Sequence, residues 1–430
     1  MKSNFQIILL GVFVVFILVG IVIFASIKGG SNQDLPQVSI WGTVDDQIFS
    51  SFLNKYIIDN DRQQLKISYV QVSSENFEQT LIEALAGGRG PDIVILPQNM
   101  IVKQQDKIYH IPYQVYDERT FSDTFIDEGG LFLWDDGIVG FPFVVNPLVM
   151  YWNKDIFSSE TIATYPKYWD EFFGLNEKLT KLDSKLNIKR SAVALGEYVN
   201  INYAKDVLSA MIFQAGNPIV EKNNNGGVTA VLNQRYSANL NPAEAALSFY
   251  TEFSNPAKLA YSWNRAMSTS KDSFISGNLA VYLGKASDIK EIRTKNPNLN
   301  FDVALLPGLR DSKTKVTFAD IQGLAILKTS KNISASLSVV NELTSNASQS
   351  VWMGISLLPS TRRDLLGKSG LPAYMSVFND SAIMAHGWLD PDSSITDKIF
   401  KEMIESVTSG KARVSEAVNR ASLGLQEIIK

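Results

Sequence analysis

The sequence predicts an exported α/β protein built from two folded units, and three observations carry that reading. A chain of 430 residues with 45% apolar and 20% charged content exceeds what one hydrophobic core organises. Past residue 37, short β-prone runs alternate with amphipathic helical stretches, the pattern of an open sheet with crossover helices. Ahead of them, Phe5 to Ile27 is almost wholly apolar and long enough to span a bilayer's hydrocarbon core as a helix.

The apolar segment is longer than the core of an ordinary signal peptide, so an uncleaved anchor is expected. Ala25 and Ser26 keep cleavage as the alternative, which would leave a secreted body. Lys2 and the start amine precede the segment, a bias that keeps the N-terminus inside and exports the rest. The chain has no cysteine, which rules out a lipid on that residue. Gly29 to Asp34 is polar and glycine-rich, a short tether, so residues 1–31 form the anchor and tether.

Val38 to Trp41 reads as a strand that stops at Gly42. From Asp45 to Tyr56, the residues Ile48, Phe49, Phe52, Leu53 and Tyr56 recur on one helical face. Leu65 to Val72 alternates as a strand, and Phe77 to Ala86 is helical. Asp92 to Leu96 is a continuous apolar run of the kind a strand covered on both faces shows. A second α/β run comes after Gly140, with Val149 to Trp152 as strand and with helices at Trp169 to Leu179 and Ala204 to Gln214. Glu221 to Gly227 reads as a turn, and Ile395 to Lys430 as two helices broken at Ser409 and Gly410.

Several chemistries are excluded. A net charge of -4 without a basic block leaves no surface for neutralising phosphates, so nucleic acid is not an expected partner. Without cysteine, and with only His110 and His386 as imidazoles, no metal site or cofactor is expected. Nucleophile elbows and phosphate-binding glycine loops are missing. Asp45, Asp46, Asp135 and Asp136 fall near predicted loops, yet nothing sets two carboxylates at the spacing glycoside hydrolysis needs. An enzyme is therefore not expected, a glycoside hydrolase being the form it would take.

Seven phrases carry a resemblance: GRGPDIVILPQN (Gly88 to Asn99), DGIVGFPFVVNPLVMYWNKDIF (Asp136 to Phe157), YPKYWDEF (Tyr165 to Phe172), FISGNLAVYLG (Phe274 to Gly284), VALLPG (Val303 to Gly308), GLAILKTSKN (Gly323 to Asn332) and LLPSTRRDL (Leu357 to Leu365). In this order they resemble the bacterial extracellular solute-binding proteins that include the maltose- and oligosaccharide-binding receptors. The resemblance implies a two-lobed periplasmic-binding-protein-like fold of type II. Residues 32–143 plus 317–353 would form the first lobe and 144–307 plus 358–430 the second, with hinges near 143–147, 305–308 and 354–358. It also implies a monomeric receptor on the outer face of the cytoplasmic membrane, closing on a small molecule for the membrane subunits of an ABC-type importer. A sensory or adhesion receptor on the same fold is the other reading.

Open α/β sheets bind ligands beyond the carboxyl ends of their strands. Trp41 and Asp45 lie at and just past the end of the first strand, and Gln98 and Asn99 come after the third. Sugars present apolar ring faces rimmed by hydroxyls, so aromatic plates and side chains that donate and accept suit them. Asn146 is a polar residue embedded in the apolar crossover phrase, Asn202 and Tyr203 precede the helix at Ala204, Lys285 follows a strand, and the resemblance adds Trp263 and Trp388 as cleft positions. The tryptophans with Asn and Gln near strand ends favour a carbohydrate. Each of the first group has a plainer role open to it: packing for Trp41, and a cap or turn for Asp45, Gln98 and Asn99. For Asn146 the plainer role is a hinge hydrogen bond.

Overall fold

Strand β1 (Val38–Gly42) buries Val38, Ile40 and Gly42 in alternation. It leads into α1 (Asp46–Asp59), whose first turn is capped by Asp45: the carboxylate accepts from the Ile48 N–H at 3.0 Å. Then come β2 (Ile67–Gln71), α2 (Phe77–Ala86), β3 (Ile93–Pro97) and the short α3 (Ile101–Gln104). β1 lies between β2 and β3, parallel to both. Ile93 to Leu96 are fully buried, which explains their unbroken apolar run.

The computed structural model describes residues 37–61, 66–185, 187–223, 227–235, 241–310, 312, 315–367 and 370–429. The anchor and tether expected over residues 1–31 lie outside them. Among the described residues, no helix is long and apolar enough to cross a membrane.

Later elements that matter here are β4 (Phe141–Asn153), β5 (Ile188–Val193), α4 (Ala204–Gln214), β6 (Leu279–Lys285), α5 (Asp288–Lys295), β7 (Phe301–Ala304), β8 (Thr317–Ile326), α6 (Asn346–Ser356), α7 (Ala373–Ile383), β9 (Ala385–His386), α8 (Ser393–Thr408) and α9 (Val414–Ile429). The main sheet runs β2-β1-β3-β8-β4-β6-β5 and ends on the short strand Lys181–Leu182; β7 joins β4 and β9 joins β8. Its two ends are the sheets of two lobes.

β4 links the lobes by changing partners. Phe141 to Pro147 pairs with Leu324 to Ala319 of β8, whereas Leu148 to Trp152 pairs with Lys285 to Val281 of β6. The change falls at Pro147, which has no N–H to offer a ladder. Beside it, the Asn146 Nδ2 donates to Ser287 Oγ at 2.9 Å, and its Oδ1 accepts from the Ser287 N–H at 3.0 Å.

Each lobe has its own aromatic core. In the first, Trp352 of α6 meets Phe52 of α1 edge-on at 5.3 Å and Phe143 of β4 at 5.0 Å. In the second, Tyr151, Phe274, Tyr282 and Phe301 gather around the β4–β6–β7 strands. Helix α7 packs on β4 and β7, and α8 and α9 pack on each other and on the helix Pro242–Glu252. Before α7 the chain is still held by first-lobe groups: Thr361 Oγ1 donates to the Pro142 carbonyl at 2.9 Å, and its own carbonyl accepts from Ile126.

Candidate functional site

A cleft of about 1060 Å³ opens between the lobes, walled by residues of both. The first lobe contributes residues just past its parallel strands: Thr43 after β1, Ser74 and Glu75 after β2, and Gln98, Asn99 and Met100 after β3. These are the carboxyl ends where such sheets take ligands. Asp320, Ile321 and Gln322 of β8 form the floor. The second lobe supplies Tyr198 to Asp206 in part, Lys285 at the end of β6, and Trp388, Asp390 and Asp397 around the start of α8.

Two lysines organise the charge. Lys285, buried at the end of β6, lies 2.8 Å from Asp206 Oδ2 and also pairs with Asp320. Its ammonium sits 4.6 Å above the centroid of the Tyr203 ring. Burial acts to lower its pKa, but the two carboxylates outweigh that and raise it. Lys205 donates to Asp390 Oδ2 at 2.7 Å, Asp397 Oδ1 at 3.0 Å and Thr396 Oγ1 at 2.6 Å. Here too burial is overcome by two carboxylates, and the lysine is raised. Burial pushes the carboxyls of Asp206 and Asp390 up, against the pull of their lysines.

Tyr203 caps the N-terminal end of α4 with φ +60°, a left-handed conformation that a bulky side chain adopts at a cost of about 1–3 kcal/mol. The cost is met by what its ring and hydroxyl hold: Lys285 over the face, and Asp288 Oδ1 accepting from the hydroxyl at 3.0 Å. Trp388 is only 4% exposed, its ring stacked 6.0 Å from Phe400 with Lys205 5.4 Å from its centroid. It lines the cleft as a ring held by Phe400 and Lys205.

Beneath the cleft, Gln98 Oε1 accepts from the Ile321 N–H at 3.0 Å, which ties the end of β3 to the floor strand. Behind it lies Glu128, 4% exposed, next to Gly387. A Cβ on Gly387 would collide with Glu128 Oε1, so glycine is needed for this approach. Burial raises the Glu128 carboxyl to about 8; the Gly387 N–H pulls it down, and the charge of Asp320 pushes it further up.

Of the residues expected from sequence, Gln98, Asn99, Tyr203, Lys285 and Trp388 come together in this cleft. The other five stand apart from its described lining. Trp41 is half-buried against the core, its neighbours across the sheet being Val70 and Val94. Asp45 is spent as the α1 cap, and Asn146 on Ser287. Asn202 Oδ1 accepts from Ser270 Oγ and the Lys271 N–H, both at 3.0 Å. Trp263 is fully enclosed, with its indole N–H on Asn200 Oδ1 at 3.1 Å. Sequence reasoning passed over Lys205, Asp206, Asp320 and Asp390. Their trace was there: two adjacent charges opening the apolar helix of α4, and one carboxylate inside the apolar strand TFADIQGLAI.

The family model described as bacterial extracellular solute-binding protein matches residues 50–350. The chain belongs to that family. It is thus an exported solute-binding protein and not an enzyme. No curated protein matches the sequence. Among solved structures, a cyclo/maltodextrin-binding protein complexed with maltotetraose aligns at TM-score 0.73 and 16% identity, over 94% of this chain and 99% of that one. An ABC transporter solute-binding protein from Thermotoga lettingae bound with α-D-tagatose aligns at 0.69 and 18%, over 92% and 100%. The maltose/maltodextrin-binding domain from Bdellovibrio bacteriovorus bound to maltotriose aligns at 0.67 and 15%, over 91% and 99%. These likenesses show that this solute-binding protein has the two-lobed fold.

Proposed function

We propose that this solute-binding protein is the extracytoplasmic receptor of an ABC-type importer and holds a sugar or short oligosaccharide in the inter-lobe cleft. The observation that carries the reading is the cleft wall, where Tyr203 and Trp388 stand among Gln98, Asn99, Lys285 and acidic side chains contributed by both lobes. Ring edges and faces suit the apolar sides of a pyranose, and the amides and charged groups suit its hydroxyls. The ligands named for the structural neighbours, maltotetraose, tagatose and maltotriose, support a saccharide.

Closure is a rotation of one lobe on the other about the stretch where β4 changes partners, with Asn146 and Ser287 holding its geometry. A ligand favours the closed form only through contacts to both lobes, and residues of both line the cleft. The closed monomer is what the importer's membrane subunits meet, while Phe5 to Ile27 keeps the receptor at the outer face of the cytoplasmic membrane. Contacts fall to Gln98, Asn99, Tyr203, Lys285 and Trp388.

A thermal-shift screen of the purified protein against mono- and oligosaccharides, polyamines and amino acids tests the reading. A ligand of the folded state raises the melting temperature, by mass action. A saccharide is expected to do so. A shift only with amino acids would overturn the carbohydrate assignment.

A further inference from the structure

Around the cleft one arrangement occurs three times: a lysine shared between two carboxylates. Lys285 lies between Asp206 and Asp320, and Lys205 between Asp390 and Asp397. On the rim, Lys103 of α3 lies 2.7 Å from Glu78 and 2.9 Å from Asp392. In each group one positive charge faces two negative ones. The lining itself carries Glu75, Glu78, Asp206, Asp320, Asp390 and Asp397 against Lys205, Lys285 and Lys401. Every buried ammonium in it is already committed, and the surplus is negative.

A second observation is independent of that charge. Gln98 is 5% exposed and lines the cleft, its Oε1 is held by Ile321, and its Nε2 donates to none of the described residues. That amide N–H meets solvent at the cleft wall and can donate to a ligand oxygen, such as a hydroxyl or ether. The cleft therefore offers a neutral polar ligand a donor at Gln98 and presents a cationic substituent with more carboxylates than the lysines that share them.

We infer that the cleft selects saccharides by charge, favouring those that carry a protonated amine and rejecting those that carry a carboxylate, sulfate or phosphate. This rests on the saccharide reading above and adds the ligand's charge to it. In a partly desolvated cleft a surplus charge is poorly compensated by solvent, so a ligand cation gains and a ligand anion loses more than either would at an open surface. Buried carboxyls that burial already pushes up gain most from a new positive neighbour.

The test is calorimetric titration of the full-length protein in detergent at about pH 6, below the usual range of an amine. The probes are maltotetraose and cellotetraose, each as the neutral sugar, an amino-deoxy derivative and a uronate, with spermidine as a cation that is not a sugar. At low salt the amine form should bind at least about tenfold tighter than its neutral parent and the uronate at least about tenfold weaker, and salt should narrow both gaps. Equal binding of the three forms, or a preference for the uronate, would overturn the inference. Binding of spermidine with no saccharide bound would sink the saccharide reading and keep the charge selection. No binding by any probe would overturn both. Asp397→Asn keeps Asp390 on Lys205 and changes a carboxylate that is 59% exposed, so it leaves the fold in place. It should lower the amine-to-neutral ratio severalfold, and an unchanged ratio counts against the inference.

Discussion

Glu128 shows what burial does to a single group. Its carboxyl titrates near 8 in the folded protein, against 4.5 for the free group. Between those values the unfolded chain has lost its proton and the folded one keeps it, so stability is full below about pH 4.5 and is lost as pH rises through 8. Glu128→Gln removes that titration. The wild type should lose up to about 1.4 kcal/mol per pH unit from this group across that window, and the variant should lack this component. Urea denaturation at pH 5, 6, 7 and 8 checks it, and parallel slopes would contradict it.

Two tryptophans separate binding from stability. Trp388→Ala should weaken saccharide binding by about 1–3 kcal/mol, since the ring lines the cleft and Phe400 backs it. Trp263→Ala should instead cost about 3–5 kcal/mol of folding stability, since it empties a fully buried site. Calorimetry and denaturation on both variants distinguish the roles. The sequence could not, because each tryptophan flanks an ordinary element and only the packing around it decides whether a ring face is left open. Gln98, Asn99 and Lys285 were legible because they stand at strand ends.

At the scale of elements, hydropathy was a good guide where packing obeys one period. Helices α2 and α4 have the bounds their apolar spacing predicts, and the two C-terminal helices break around Ser409 and Gly410 as expected. The shared lysines were not legible. Lys285 and Asp320, or Lys205 and Asp390, are joined by topology across long stretches of chain, and no local spacing records such a pair.

The rim bridge from Lys103 to Asp392 joins α3 of the first lobe to the cap of α8 in the second. The lysine is 41% exposed, so the bridge is worth about 0.2–1 kcal/mol and is screened by salt. Lys103→Met should therefore speed ligand release a fewfold at low salt and less at high salt. Stopped-flow displacement measures this, and a salt-independent change would argue against the bridge.

For the molecule as a whole, the order of strands explains why a receptor can be read from this chain. A sheet that shares β4 and β8 between its halves keeps two cores apart and leaves the cleft over the strand ends of the first lobe. Length and composition indicated two units, hydropathy periods indicated an α/β pattern, and the ordered phrases carried the fold, because neither length nor period tells which strands cross. The ligand's chemistry was least legible, since it depends on groups that only the folded molecule brings together.

Closure of the cleft on a saccharide can be read directly by small-angle X-ray scattering during a saccharide titration. The radius of gyration should fall as ligand is added and saturate at one saccharide per chain, with the midpoint moved to higher concentration in Trp388→Ala. Saccharide binding with an unchanged radius, or a midpoint indifferent to Trp388, would contradict closure around that ring.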